Sequence, residues 1–282
     1  MKKSASFRGA LFLLFSVAAL CLVTVVTCTP FVLMVSGSFK EDYEIFAMVP
    51  RLLPGTFDFR KYDQLFANWP FMTSMFNSVY VTGVKTLGGC FFCTLVGFTF
   101  AKYRFPGKNA LFIIMLSTMM LPGETRLVPS YMLFKALGGV NKMWSLIVPG
   151  LVPAFGVFML RQFAVAGVPD DTMESARIEG AGEFQILMRI AFPMLAPAIF
   201  SFAILTFMNA WNEFLWPIII MTERTKLTST ALLRSIADAS SQGNNGVLLA
   251  ATTISVIPIL LIYGIFHKQI IRGVLEGSGK EG

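Results

Sequence analysis

A chain of 282 residues that is 55% hydrophobic and only 14% charged, with a mean hydropathy of +0.67, has too little polar surface for a water-soluble domain of that size. The composition points to a chain solvated by lipid, with room for about six spans of roughly 20 residues each. Its net charge of +7 is not a nucleic-acid signal, because many of the basic residues stand at the ends of apolar runs, where they set orientation.

Taken in order, the chain begins MKKSASFRG and enters an apolar run from Ala10 to about Ser36, too long for the ~7–15-residue core of a signal peptide. Leu20 is too bulky to precede a lipoprotein cleavage cysteine at Cys21, so the run is expected to stay attached as the first span, about 10–36, with Pro30 as a kink. An external polar loop follows over about 37–75, and the second span covers about 76–100. Lys102, Arg104 and Lys108 fill the short link to a third, shorter span at about 109–122. A partly apolar external connection of about 123–142, a loop or a half-buried helix, leads to the fourth span, about 143–165. The longest cytoplasmic connection occupies about 166–192, and the fifth span about 194–221. Gly243-Asn244-Asn245-Gly246 is a turn signal before the sixth span, about 247–267. With Lys2, Lys3 and Arg8 ahead of the first span and Lys268, Arg272 and Lys280 after the last, both termini are expected to be cytoplasmic. The fold class is therefore an all-α polytopic membrane protein, one transmembrane domain over 1–282. Bare backbone in hydrocarbon must be hydrogen-bonded internally, which long unbroken apolar runs achieve as helices.

Metal and nucleophile chemistry find little here. His267 is the single histidine. Cys21, Cys28, Cys90 and Cys93 all lie in apolar runs, and the Cys-Phe-Phe-Cys pair has no neighbouring ligands to complete a zinc site, so the four thiols read as small apolar filler. Gly279-Lys280 lacks both the glycine and the Ser or Thr of a phosphate loop, since Val274 and Glu281 occupy those places. No nucleotide site is legible, and the chain is not expected to hydrolyse ATP.

The cytoplasmic connection reads VPDDTMESARIEGAGEFQILMRIAFPMLAP. Asp171 and Glu174 have capping-box spacing, which predicts a helix from Thr172 to Glu179 that Gly180 ends by adopting a left-handed backbone. A second helix is expected from Glu183 to Phe192, with Pro193 and Pro197 turning the chain back into the membrane. Small Ser175 and Ala176 beside the carboxylate of Glu174 suit a helix lying in another protein's groove. Glu174 alone would also serve as a favourable charge at a helix start.

Glu174-Ser175-Ala176, Gly180, Ile190 and Pro193 together resemble the EAA loop of ABC importer permeases. Further runs are similar to the carbohydrate branch of that family. They are Asn77-Ser78, Ala101-Lys102-Tyr103-Arg104-Phe105-Pro106-Gly107, Phe158-Met159-Leu160-Arg161-Gln162-Phe163, and Asn209-Ala210-Trp211-Asn212-Glu213-Phe214-Leu215-Trp216-Pro217. Ser175, Glu179 and Phe192 depart from the usual loop residues by small changes, and the C-terminal tail follows the branch only loosely. The resemblance implies the permease subunit of an ATP-driven importer of a sugar or oligosaccharide in the bacterial cytoplasmic membrane. It also implies a second permease in a heterodimer, an ATPase dimer that binds ATP and Mg, and an external solute-binding protein. Glu174, Ser175, Ala176, Gly180 and Ala181 would then couple to the ATPase.

Polar residues inside apolar spans usually face a bundle interior or an aqueous path. Asn209, Trp211, Asn212 and Glu213 are candidates for a translocation path, with Trp211 stacking on a sugar face. Interhelical hydrogen bonding, with Trp216 as an interfacial anchor, is the alternative. Lys85 either lines that path or snorkels to the surface, and Arg161 reads as an orientation anchor. Outside the family, the rival functions are a stand-alone secondary transporter or channel and an integral-membrane enzyme. Inside it, the cargo could equally be a polyol, a glycerol phosphate or a sugar acid.

Overall fold

The computed structural model describes residues 7–47, 51–240 and 245–278, with side chains described over 12–47, 51–239 and 245–266. The helices in chain order are α1 (Phe7–Gly37), α2 (Asp42–Ile45), α3 (Arg60–Asn68), α4 (Phe71–Lys102), α5 (Lys108–Ser117), α6 (Leu127–Ala136), α7 (Trp144–Ile147), α8 (Ala154–Gly167), α9 (Asp170–Ile178), α10 (Glu183–Ile186), α11 (Phe192–Asn212), α12 (Leu215–Ile220), α13 (Ser229–Ser240) and α14 (Asn245–Ser278). Among the described residues there is no strand.

Four stretches are long and apolar enough to cross a bilayer unbroken: Phe12–Gly37, Phe71–Lys102, Glu183–Asn212 and Asn245–Phe266. Two more are bent pairs, Lys108–Met120 with Gly123–Ala136 at 106° and Trp144–Gly150 with Ala154–Gly167 at 40°, which brings the total to 6 if each pair is one span. Four of the six expected spans are thus present as unbroken helices, and the regions of the other two hold bent pairs. Proline accounts for both breaks. Pro122 holds Leu121 in extended backbone, with ψ 126°, because the ring excludes the helical region for the residue before it. The chain then re-enters helix as α6, within the connection for which the sequence allowed a half-buried helix. The second break falls at Pro153, which is itself extended, at ψ 135°, immediately before α8.

The region after α9 also differs from expectation. Pro193 and Pro197 do not turn the chain. The helix runs from Glu183 to Asn212, because residues Leu187–Ala191 form a wide π turn in which the Phe192 N–H donates to the Leu187 carbonyl. The wide turn absorbs the donor that Pro193 lacks and relieves its clash with the preceding turn. The expected turn at 243–246 lies partly outside the described residues, and Asn245 already begins α14.

The chain divides into two compact units. The first comprises residues 1–69 and 235–256. In it the side chains of α1 from Phe12 to Val35 are largely exposed and apolar, as expected of a helix meant for lipid. Lys61, almost fully buried, pairs with Asp42 at 3.0 Å, and the other Asp42 oxygen accepts the Gly246 N–H at the start of α14 at 3.1 Å.

The second unit comprises residues 70–234 and 257–282. Its framework is α4 packed on α8 and α11. Gly97 lets α4 approach α8 closely, since a Cβ there would stand 2.9 Å from the Arg161 nitrogen and 3.0 Å from the Val157 oxygen. Small residues at such crossings are the usual route to close packing in lipid. Cys90 and Cys93 join Val157, Leu160, Ala198 and Phe202 in an apolar cluster between these three helices.

Candidate functional site

α11 ends where Glu213 takes an extended backbone (ψ 121°), and α12 follows after Phe214. That break aims the Glu213 carboxylate at α4. Lys85 of α4 meets it, Nζ to Oε2 at 2.5 Å, although the two are 128 residues apart. Lys85 is only 5% exposed. Its stem lies across Gly150, where a Cβ would come within 2.8 Å of the Lys85 Cε.

The pair stands on a cavity of about 480 Å³, whose polar lining is Lys85, Arg126, Thr206, Asn209 and Glu213, with Phe155 and Phe202 among its apolar walls. Asn212 lies outside it. That residue lines a neighbouring shallow recess and donates from Nδ2 back to the Met208 carbonyl at 2.9 Å. Trp211 is likewise not available to a ligand. It is 2% exposed and stacks on Phe207 with ring centroids 5.7 Å apart, while its carbonyl accepts from the Thr230 hydroxyl at 2.5 Å. One helical position separates Trp211 from Ala210 of the cavity wall, and that rotation turns the indole inward. Lys85 lines the cavity and does not snorkel. Trp216 is buried too, donating its indole N–H to the Ser145 carbonyl at 2.8 Å, and so does not stand as an exposed anchor.

Sequence reasoning missed Arg126 because it fell in an external connection; its signal is an arginine set between the apolar pairs Leu121-Pro122 and Leu127-Val128. The Asn77-Ser78 run also has a structural task. Asn77 Nδ2 donates to the Thr225 and Leu227 carbonyls at 2.8 and 3.0 Å, and Ser78 Oγ accepts the Ser229 N–H at 2.6 Å. Together they fasten the start of α13 to α4.

In the second candidate region, α9 begins earlier than expected, at Asp170 after Pro169, and no side chain caps it. Asp171 lies in its first turn, so the capping box does not form. Its end is as expected: Gly180 has φ +87°, the Ala181 N–H reaches the Ala176 carbonyl at 2.9 Å and the Gly180 N–H the Arg177 carbonyl at 3.0 Å. This is the Schellman arrangement of a helix ended by a left-handed glycine. Glu174 and Ser175 are exposed, whereas Ala176 is buried with Met173, because residues three apart share a helix face. Ala176 therefore packs inward and is not part of the outer surface, which instead carries Ile178 and Phe184, 88% and 66% exposed.

Beneath α9 an apolar cluster joins Met173 and Ala176 to Phe98 of α4, Ala164 of α8 and Leu195 of α11. Ion pairs fasten its rim. Lys102 at the end of α4 pairs with Asp170 at 2.8 Å, and its hydrogen bond and charge hold the Asp170 carboxyl below the usual carboxylate range. Arg177 clamps Glu183 with Nε and Nη2 at 2.8 and 3.2 Å. Tyr103 donates to the same carboxylate, and burial, then this hydrogen bond and charge, push its phenol up to about 12.

Residues 94–276 match the family described as the binding-protein-dependent transport system inner membrane component. The chain belongs to that family. It is a multi-pass inner-membrane permease subunit of an ABC importer. Over 278 residues it is 31% identical to the arabinooligosaccharides transport system permease protein AraQ of Bacillus subtilis, covering 97% of this chain and 96% of that one. The sn-glycerol-3-phosphate transport system permease protein UgpE of Yersinia enterocolitica is 27% identical, covering 84% of this chain and 87% of its own length. Among solved structures, a bacterial ABC transporter involved in import of the acidic polysaccharide alginate shares the permease fold, with TM-score 0.81 at 20% identity, over 95% of this chain and 99% of that chain.

Proposed function

We propose that this permease lines half of the path for a sugar or a related polyhydroxylated solute, and that α9 is the surface on which an ATPase subunit docks. The observation that carries the path is the cavity beside the Lys85–Glu213 pair, whose Thr206, Asn209 and charged groups suit a hydroxylated ligand. Relatives named for arabinooligosaccharide and glycerol-3-phosphate transport support that cargo class. A second, different permease supplies the other half, and an external binding protein delivers the solute. ATP and Mg bind in the partner ATPase dimer, not in this chain. Both termini are cytoplasmic, on the side of α9.

The coupling follows from the packing. Exposed Glu174 and Ser175, with the Gly180-Ala181 turn, meet the ATPase, and Ala176 anchors the same helix inward. When the ATPase dimer closes, α9 moves, and the apolar cluster and the Lys102, Arg177 and Glu183 contacts carry that displacement to α4, α8 and α11. α4 and α11 also hold Lys85 and Glu213, so motion at the loop reaches the cavity through close-packed helices.

Reconstitution of the complete importer tests this. Glu174→Arg is expected to abolish solute-stimulated ATPase activity and uptake while the chain still assembles with its partner permease. Normal stimulation in that variant would remove α9 from the coupling role. Uptake driven by an ion gradient without ATP would favour a transporter working alone.

A further inference from the structure

We infer that the solute passing through the Lys85 cavity carries an anionic group, a carboxylate or a phosphate, beside its hydroxyls, and that Arg126 pairs with it. The inference rests on the path reading above and adds the charge of the cargo. Three charged side chains line the cavity: Lys85, Arg126 and Glu213. The charge of Lys85 is answered by Glu213 at 2.5 Å. That of Arg126 is not: among the described residues no hydrogen bond or ion pair engages its guanidinium. Glu124, in the same 3-10 turn, lines the adjoining recess with Arg126 and Glu213 rather than the cavity, and forms no ion pair with Arg126.

The position of Arg126 supports a ligand more than an orientation anchor. It sits at the 106° bend between two apolar helices, on a turn that follows Pro122, where the backbone break turns the side chain to the cavity wall. The other walls are largely apolar, with Pro149, Pro153, Phe155, Phe202 and Leu205 among them. Walls of low dielectric strengthen any charge facing them and focus the potential on the space between. Arg126 is exposed, so water solvates its guanidinium while the cavity is empty; a wholly neutral sugar would be served by Thr206, Asn209 and the Lys85–Glu213 pair, and would displace that water without supplying a counter-charge. An anionic solute supplies the missing charge, and the planar guanidinium offers paired donors matched to a carboxylate or a phosphate.

The test uses the complete importer in vesicles, with three probes: a neutral oligosaccharide, its uronate counterpart, and a glycerol phosphodiester. The expected result is ATP-dependent uptake of at least one anionic probe. Arg126→Gln should lower that uptake at least tenfold, mainly through KM, and Arg126→Lys should recover part of it. Partial recovery distinguishes lost recognition from misfolding, because lysine keeps the charge and loses only the fork. Uptake of the uronate alone assigns a carboxylate, and of the phosphodiester alone a phosphate. Uptake of the neutral probe with refusal of both anions, or full anion uptake in Arg126→Gln, overturns the inference and leaves the path reading intact. Failure of all three probes under ATP would overturn both.

Discussion

Lys85 is an expensive residue to hold in an apolar helix, and its environment explains how it is kept. Burying an ammonium without a partner costs several kcal/mol, and the Glu213 carboxylate, 36% exposed, offsets that by ion pairing. Glu213→Gln should therefore destabilise the permease by about 2 kcal/mol, below the ~3–5 kcal/mol of a fully buried pair because Glu213 keeps some water. The double variant Lys85→Met with Glu213→Gln should recover most of that loss, since no unpaired charge remains. Thermal unfolding of the solubilised chain checks both, and a double variant less stable than the single would show that the two residues do not act as one unit. The pair also marks how far single residues could be read from sequence. Lys85 and Glu213 each stand out as ionisable groups in apolar runs, but their partnership across 128 positions has no local signal. Trp211 shows the opposite case: an aromatic beside polar neighbours reads as a sugar platform, and only the helix rotation reveals that it faces Phe207.

Helix by helix, legibility followed proline chemistry and burial. Every long span was visible as an apolar run, because lipid tolerates no other backbone. The bends at Pro122 and Pro153 were hidden, since hydropathy averages over a window and a proline removes one donor without changing composition. α13 was missed altogether: Ala231, Leu232 and Ile236 form its buried stripe, while Ser229, Arg234, Ser235 and Asp238 dilute the signal to that of a polar connection. Helix pairing depends on finer detail still. Gly97 looks like any glycine in a span, yet it alone admits the backbone of α8. Gly97→Ala would force a Cβ to 2.9 Å from the Arg161 nitrogen, against backbone that cannot rotate away. The expected cost is about 1–3 kcal/mol, the range for overpacking. It should appear as a lower unfolding temperature and poorer assembly with the partner permease, whereas Gly83→Ala, with nothing within 4 Å of a Cβ, should change neither. Equal behaviour of the two variants would mean that α4 and α8 do not cross at Gly97.

At the scale of the whole molecule, the α9 loop proposed to couple was the most legible part and the cavity proposed as the solute path the least. The loop is local: Glu174, Gly180 and Pro193 lie close enough in sequence for a single pattern to carry them, and Gly180 ends α9 with the left-handed backbone its spacing predicts. The cavity is assembled from α4, the turn after Pro122, the segment around Pro149 and α11, so no one stretch of sequence contains it. Orientation in the bilayer joins the two. If α9 meets an ATPase it must face the cytoplasm, and an odd number of crossings then separates it from the segment between α1 and α4. The orientation expected from sequence charge is the same: Lys102, Arg104 and Lys108 fill a link expected inside, and Glu41, Asp42, Glu44, Asp58 and Asp63 lie mixed with bases in a loop expected outside. Cysteine introduced at Glu44 or at Glu179, in a chain whose own four cysteines are replaced by alanine, gives a direct readout. A membrane-impermeant thiol reagent added to intact cells should label the Glu44 site and leave the Glu179 site untouched until the membrane is opened. Adding the ATPase to opened membranes should then protect the Glu179 site, because it lies beside the proposed docking turn. Labelling of the Glu179 site in intact cells would place α9 outside and make the coupling assignment untenable, whatever the family resemblance of its residues.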